Sequence, residues 1–254
     1  MSLQSEQKQP ALNSIKYAEF HSLNSRTTWL VTMLIIFILI SILSIQADIS
    51  QLNLVQRIID GDFVSESDAA ANDSRAQMLA VAQFIVLITI SIIYLFWKNR
   101  AYKNLDSLKA FRREYSSGWA VGAYFVPFLN LFKPFQIMRE IWKGSDPGYI
   151  DNDSESGTNW KAAPSNILLP VWWIIFLIDS VLGNISYRMS NNFNTLQQIQ
   201  NYSIVNLVSD TFGIFSAITL IILARKLYQR QENKYQRIEL SGNINTPLDF
   251  SMGS

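Results

Sequence analysis

GWAVGAYFVPFLNLFKPFQIMREIW, residues 118–142, is the stretch on which the topology of this chain turns. It is apolar enough to enter a bilayer, yet Pro127 and Pro134 interrupt it seven residues apart. Each proline lacks an N–H and crowds the carbonyl four residues back, that of Ala123 for Pro127 and that of Asn130 for Pro134. Backbone groups left unpaired in hydrocarbon are expensive, so such a break needs protein, a water-lined cavity or nearby donors around it. Asn130 and Gln136 are the nearest amides, and Lys133 is placed to reach headgroup phosphates. Segment 118–138 is therefore expected to be re-entrant or interfacial, with a proline-kinked span as the alternative.

Four other apolar runs flank this stretch, at about 29–46, 78–97, 167–186 and 203–224. Each has roughly the length a helix needs to cross ~30 Å of hydrocarbon. Trp29, Trp97, Tyr187 and Tyr202 stand at run ends, where amphipathic rings settle at the headgroup level. Charged residues make up 16% of the chain, below the share of about 25% usual in soluble proteins. They gather in the connections. The expected fold class is an all-α membrane protein, a four-span helical bundle with one proline-broken re-entrant or interfacial segment. Its parts are a cytoplasmic leader over 1–28, a membrane domain over 29–230 and a disordered cytoplasmic tail over 231–254.

The distribution of Lys and Arg separates the two topologies, because positive residues favour the cytoplasmic side. If 118–138 spans, ten of them fall on each side of the membrane. If it returns to the side it entered from, seventeen lie inside and three outside, with Lys133 in the segment itself. The second arrangement places both termini in the cytoplasm.

The sequence YSSGWAVGAYFVPFLNLFKPFQIMREIWKGSDP, preceded by RAYKNL, resembles the hallmark of the bacterial membrane family catalogued as domain of unknown function 4328. Trp119, Gly122, Pro127, Asn130, Pro134 and Trp142 carry the resemblance, with Gly118 ahead of them. The Trp172–Trp173 pair in the next run also fits. Relatives often carry Pro at the position of Ser117 and an aromatic residue at that of Ala123. The resemblance extends over about residues 29–228. It implies a multi-span protein of the bacterial inner membrane and brings no activity with it.

Two acids stand within apolar runs. Asp179 lies about 18 Å into the third span, and Asp210 about 10 Å into the fourth. In antiparallel helices both come to similar depth in the outer half. An intramembrane acid is a functional candidate by default, and two neighbouring carboxylates do not both ionise cheaply. They form either a proton or cation relay, or polar helix contacts with Asn184 and Asn206 as neighbours. Between residues 98 and 117, Ala101, Leu105, Leu108, Phe111 and Tyr115 recur at helical spacing among basic residues. This pattern predicts an amphipathic surface helix on anionic lipid, with a plain positive-inside stop signal as the alternative. Residues 47–77 are read as an outer connection, with Leu52, Val55, Ile58 and Ile59 on one face of a short helix. DNDSESG, 151–157, has alternating acids but Ser156 where a calcium loop needs glycine, and is read as a solvated loop.

Catalytic chemistry is sparse. There is no cysteine, which excludes thiolate metal sites and cysteine nucleophiles, and His21 is the only histidine. No G-x-S-x-G elbow, H-E-x-x-H or phosphate-binding glycine loop is present. His21 is expected at the surface, and no cofactor or nucleic-acid partner is expected. The leading expectation is a non-enzymatic scaffold or accessory component, partnered by the lipid bilayer and by a membrane protein or a second copy. The alternative is a small transporter or channel using the broken segment and Asp179/Asp210. The candidate motif is Trp119, Gly122, Pro127, Asn130, Lys133, Pro134 and Trp142.

Overall fold

The computed structural model describes residues 19–150, 158–190 and 195–244, with side chains as far as Ser241. All regular structure in these residues is helical: α1 (Asn24–Ile59), α2 (Glu66–Ser107), α3 (Trp119–Gly122), α4 (Lys133–Gly144), α5 (Leu168–Met189) and α6 (Leu196–Ile244). Two short 3-10 turns, Leu129–Leu131 and Asn159–Ala162, complete it. Four of the helices, α1, α2, α5 and α6, are long and apolar enough to cross a membrane. Large apolar side chains such as Leu39, Phe84, Phe96 and Ile174 point outward from them, as expected of helices whose solvent is hydrocarbon.

The four spans do not form a closed square. α1 packs against α2 on one side and α6 on the other, and α6 packs against α5. The order is α2, α1, α6, α5, which leaves α2 and α5 facing each other across a gap. α1, α2 and α6 run for about 54, 63 and 74 Å, well beyond the hydrocarbon thickness, whereas α5 at about 33 Å just spans it. α1 and α2 extend together at one end of the bundle, and α2 and α6 extend together at the other.

The α1–α2 connection is tight for local reasons. Gly61 sits at φ +83°, the left-handed conformation that closes a helix and that glycine adopts without a Cβ penalty. Ser65 then caps α2 by accepting the amide of Asp68 at 3.1 Å, and Glu66 and Asp68 complement the helix N-terminus. Residues 47–59 thus continue α1, which corrects the expected outer connection with a separate short helix. Asp48 comes with it into the buried face.

The opposite end carries a platform. Ala101, Leu105 and Leu108 are fully buried there with Ile137, Met138, Ile141, Leu223 and Leu227. Residues 98–107 are the end of α2, and their apolar face is covered by protein instead of lying on the membrane. α6 likewise continues through Gln231 and Lys234, both fully buried. Gln231 donates to the Ala101 carbonyl and Ser145 Oγ, and Lys234 to the Gly144 carbonyl. The expected disordered tail from 231 is therefore corrected: residues to 244 are helix, and 245–254 lie outside the described residues. Gly144 is held where a Cβ would meet Leu105 at 3.0 Å and Ala110 at 3.2 Å, so α4 docks closely on the end of α2 at a position where an added side chain would crowd both residues.

The leader folds onto this platform from residue 19. Asn104 accepts from the His21 amide at 3.3 Å and donates to its carbonyl at 2.8 Å. Phe20 stacks on Tyr235 at 4.2 Å between ring centroids. The His21 imidazole itself stays exposed. Residues 1–18 and the 151–157 loop lie outside the described residues.

Segment 118–138 forms no long helix. Pro127 follows α3 in an irregular loop, and Pro134 stands in the first turn of α4, where its missing N–H costs nothing. Only Pro127 interrupts the chain; Pro134 starts a helix, which corrects the expected pair of breaks. The two ends of the segment meet: Tyr115 Oη donates to Gln136 Oε1 at 2.7 Å, and the Glu114 amide donates to Glu140 Oε1 at 2.6 Å.

Candidate functional site

A polar seam runs between α1 and α6. On α1, Ser41, Ser44 and Asp48 recur at i, i+3 and i+7 and are all buried; this spacing puts them on one helix face. On α6, Ser203, Asn206 and Asp210 repeat the pattern in the antiparallel sense. Asn206 Nδ2 donates to Asp48 Oδ2 at 2.8 Å, and Ser186 Oγ of α5 donates to Asn206 Oδ1 at 3.0 Å. Deeper in, Gln83 of α2 donates to Asp210 Oδ1 at 2.7 Å and to Ser41 Oγ at 3.2 Å. Ser209 Oγ reaches Asp179 Oδ1 at 3.5 Å, the outer limit of a hydrogen bond. Every span contributes a polar group to the seam.

No ion pair among the described residues involves Asp48, Asp179 or Asp210. Nor do three His, Asp or Glu side chains among these residues gather as metal ligands. The seam is knit by neutral amide and hydroxyl donors, with Asp210 Oδ2 and Ser203 Oγ buried and without a hydrogen-bond partner among the described residues. Asp179 meets α6 at Ser209, the residue next to Asp210, while Asp210 itself is bonded to Gln83 of α2. Of the neighbours expected for them, Asn206 serves Asp48 and Asn184 faces outward.

Asp48 and Gln83 are among the seam residues that sequence reasoning missed, as are the serines of α1, α5 and α6. The Ser41–Ser44–Asp48 spacing was the available signal, obscured because the apolar run stops at Ile45. Gln83 is one amide within a run of about twenty apolar residues and carries no pattern of its own.

Beside the seam, between α2 and α5, lies a cavity of about 330 Å³. Asp179 touches it, but Asp210 and Asn130 do not. Its walls are otherwise almost wholly apolar and aromatic. Among the described residues, this cavity gives no continuous polar route from Asn130 to the two acids.

The motif residues of 118–142 do not converge. Trp119, Pro127 and Asn130 are exposed, as are Phe125, Phe128 and Phe132. Lys133 Nζ approaches Tyr115 Oη at 3.4 Å, and a Cβ on Gly122 would meet nothing within 4 Å. Pro134 and Trp142 are buried in the platform, Trp142 beneath the Arg230 guanidinium at 4.4 Å. The residue that organises this region is Lys98. Fully buried, it donates to the Pro134 carbonyl and to Tyr124 Oη, both at 2.9 Å, and Tyr124 donates onward to Tyr94 Oη at 3.0 Å. Trp173 Nε1 donates to the Leu131 carbonyl at 3.0 Å. These side chains, not Asn130 and Gln136, supply donors to the loop.

Glu140 closes the platform. It accepts the Glu114 amide and the Tyr102 hydroxyl, and burial pushes its carboxyl above the ordinary value. Tyr102 Oη also contacts the Tyr115 carbonyl. One phenolic proton faces two acceptors, the Glu140 carboxyl and the Tyr115 carbonyl.

Four membrane-crossing helices with a polar intramembrane seam define a multi-pass membrane protein. The chain belongs to the family described as Domain of unknown function (DUF4328), whose model matches residues 60–229. The match begins after α1. No curated protein and no solved structure matches the chain.

Proposed function

We propose that this protein is a non-enzymatic scaffold or accessory component of a bacterial inner membrane, with both termini in the cytoplasm. The observation that carries this reading is the seam. Its acids are engaged by amides and hydroxyls from neighbouring helices, and the cavity that touches Asp179 is walled almost wholly by apolar and aromatic side chains. Such contacts, worth about 0.6 kcal/mol each on average in membranes, fix helix register. In this reading 118–138 enters the inner membrane interface and returns. The exposed Phe125, Phe128 and Phe132 favour that placement, because rings left facing water would be a large apolar patch. The partner is the bilayer together with a second membrane protein or a second copy, and the exposed basic residues of 98–117, Lys103 and Arg112, face anionic lipid.

A small transporter remains the second reading, favoured by the unpaired Asp210 Oδ2 and by Asp179 at the cavity wall. Purified protein in vesicles separates the two. The scaffold reading expects no proton or cation flux beyond empty vesicles under an imposed pH gradient, and a membrane protein or second copy recovered at fixed stoichiometry. Flux that is lost in Asp179→Asn or Asp210→Asn would replace it with the transporter.

A further inference from the structure

Where α4 meets the start of α5 lies an open groove of about 320 Å³. Phe135 and Arg139 of α4 form one wall, and Ser165, Asn166, Ile167 and Pro170 the other. Both walls change character along their length. On α4, Phe135 stacks on Trp173 of α5 with ring centroids 6.5 Å apart, and the exposed Arg139 follows about one turn later. On the facing wall, Pro170 lies in the first turn of α5, and Ser165 and Asn166 come before the helix. Ile167, where the apolar run of this span begins, is 74% exposed. The Pro170 end of the groove therefore borders hydrocarbon, and the Ser165 end borders the headgroup layer.

The polar end lacks an anion. Arg139 takes part in no ion pair among the described residues, and no acid among these residues lines the groove. Asn166 Oδ1 accepts the Leu168 amide at 2.9 Å, which leaves its Nδ2 to donate elsewhere. Ser165 adds an exposed hydroxyl. These donors come from side chains on both walls, so the site does not rest on the end of α5.

Level, charge and floor together identify the occupant. The abundant anion at the boundary of hydrocarbon is the phosphate of a lipid. A guanidinium fork matches its oxygens in a way a lysine does not. The Phe135 and Pro170 floor suits the glycerol and the first methylenes below that phosphate. An ethanolamine headgroup would bring an ammonium and find no carboxylate here, whereas a glycerol headgroup brings only hydroxyls. The groove is thus complementary to a headgroup of net negative charge.

We infer that the α4–α5 groove binds the headgroup of an anionic glycerophospholipid in the leaflet on the platform side, with its phosphodiester on Arg139, Ser165 and Asn166. The site requires α5 to span the membrane and is independent of which side the platform faces.

The full chain, reconstituted in mixed phosphatidylethanolamine–phosphatidylglycerol vesicles, is extracted in mild detergent, and its retained lipid is read by native mass spectrometry. The wild type is expected to keep one phosphatidylglycerol in preference to phosphatidylethanolamine. Arg139→Gln weakens that retention about ten-fold, and Arg139→Lys, which has the charge without the fork, falls between. Ser165→Asp sets an acid on the facing wall and also releases the lipid. Lys103→Gln and Arg112→Gln remove charges elsewhere and retain lipid as the wild type does. All four positions are exposed, so the fold is kept. A wild type that keeps no phosphatidylglycerol, or keeps both lipids equally, overturns the proposal. Equal loss in Arg139→Gln and Arg112→Gln also overturns it, by marking a general effect of surface charge. So does release of the lipid by inorganic phosphate, which marks a site for a free anion.

Discussion

Asn206 Nδ2 donates to Asp48 Oδ2 at 2.8 Å, joining α6 to α1 across 158 residues of sequence. The bond lies in the outer part of the seam, and Ser186 of α5 adds the next link by donating to the same Asn206. Three helices are therefore registered through one amide, whose donor and acceptor atoms are both used. A double-mutant cycle of Asp48→Ala and Asn206→Ala, read as unfolding free energy in mixed micelles, is expected to give a coupling of about 0.6 to 1.7 kcal/mol. Strict additivity would mean that the two side chains do not meet.

Lys98 is the next test, because its chemistry conflicts with its apparent role as one of six basic residues in a stop signal. Its Nζ is buried against the Pro134 carbonyl and Tyr124 Oη, 4.6 Å from the centroid of the Tyr124 ring. Lys98→Met keeps the stem but strands the carbonyl and releases the 124–134 loop. We expect a loss of about 2 to 3 kcal/mol and faster proteolysis within 124–132. A basic residue acting only through the positive-inside rule would change stability by less than ~0.5 kcal/mol.

The contrast between Lys98 and the apolar runs shows what the sequence could disclose. Four spans were legible because twenty-odd residues without charge admit few alternatives in length or environment. The extensions of α2 and α6 beyond the membrane were not. Their buried faces include Lys98, Asn104, Gln231 and Lys234, which a hydropathy reading counts as solvent-facing. These four supply donors to carbonyls of the leader, α2 and α4, and that role exists only once those segments are docked. Asp48 was misplaced for a related reason, since an acid at the end of an apolar run marks a helix exit unless its partner on a distant helix is known. The Pro134 reading failed because a proline that breaks a helix and one that starts it look alike until the helix boundary is fixed.

Glu140 predicts a pH dependence. Its folded carboxyl titrates above the ordinary value of 4.5 because burial disfavours the charge. An acid of this kind binds its proton more tightly when folded, so its favourable contribution is complete below the ordinary value. That contribution falls as pH rises through the folded value. Glu140→Gln removes the titration and keeps the geometry: the amide oxygen accepts from Glu114, the amide N–H donates to Tyr102, and Tyr102 keeps its proton for the Tyr115 carbonyl. The stability of Glu140→Gln relative to wild type should therefore rise as pH climbs from the ordinary value of 4.5 through the folded value. Urea midpoints measured across that range check it, and a difference that stays flat or shrinks with pH would place the charge, not the proton, on Glu140.

The course of 118–138 gives the last prediction, and the chain suits it because it contains no cysteine. Tyr115 and Gln136 are hydrogen-bonded across the base of the segment, as are Glu114 and Glu140. In the proposed topology the residues on either flank, Ser116 and Arg139, belong to one side of the membrane whatever the depth of the loop between them. Phe128, at the tip, is 81% exposed in the absence of lipid. Single substitutions Ser116→Cys, Arg139→Cys and Phe128→Cys, introduced one at a time, are treated with an impermeant maleimide in intact cells and in inverted vesicles. Ser116→Cys and Arg139→Cys should be modified in inverted vesicles and protected in cells. Phe128→Cys should be slow in both, because hydrocarbon lacks the water that ionises a thiol. Modification of Arg139→Cys from outside, with Ser116→Cys still reached only from within, would turn the segment into a fifth span. It would also break the hydrogen bonds that hold the platform to α2.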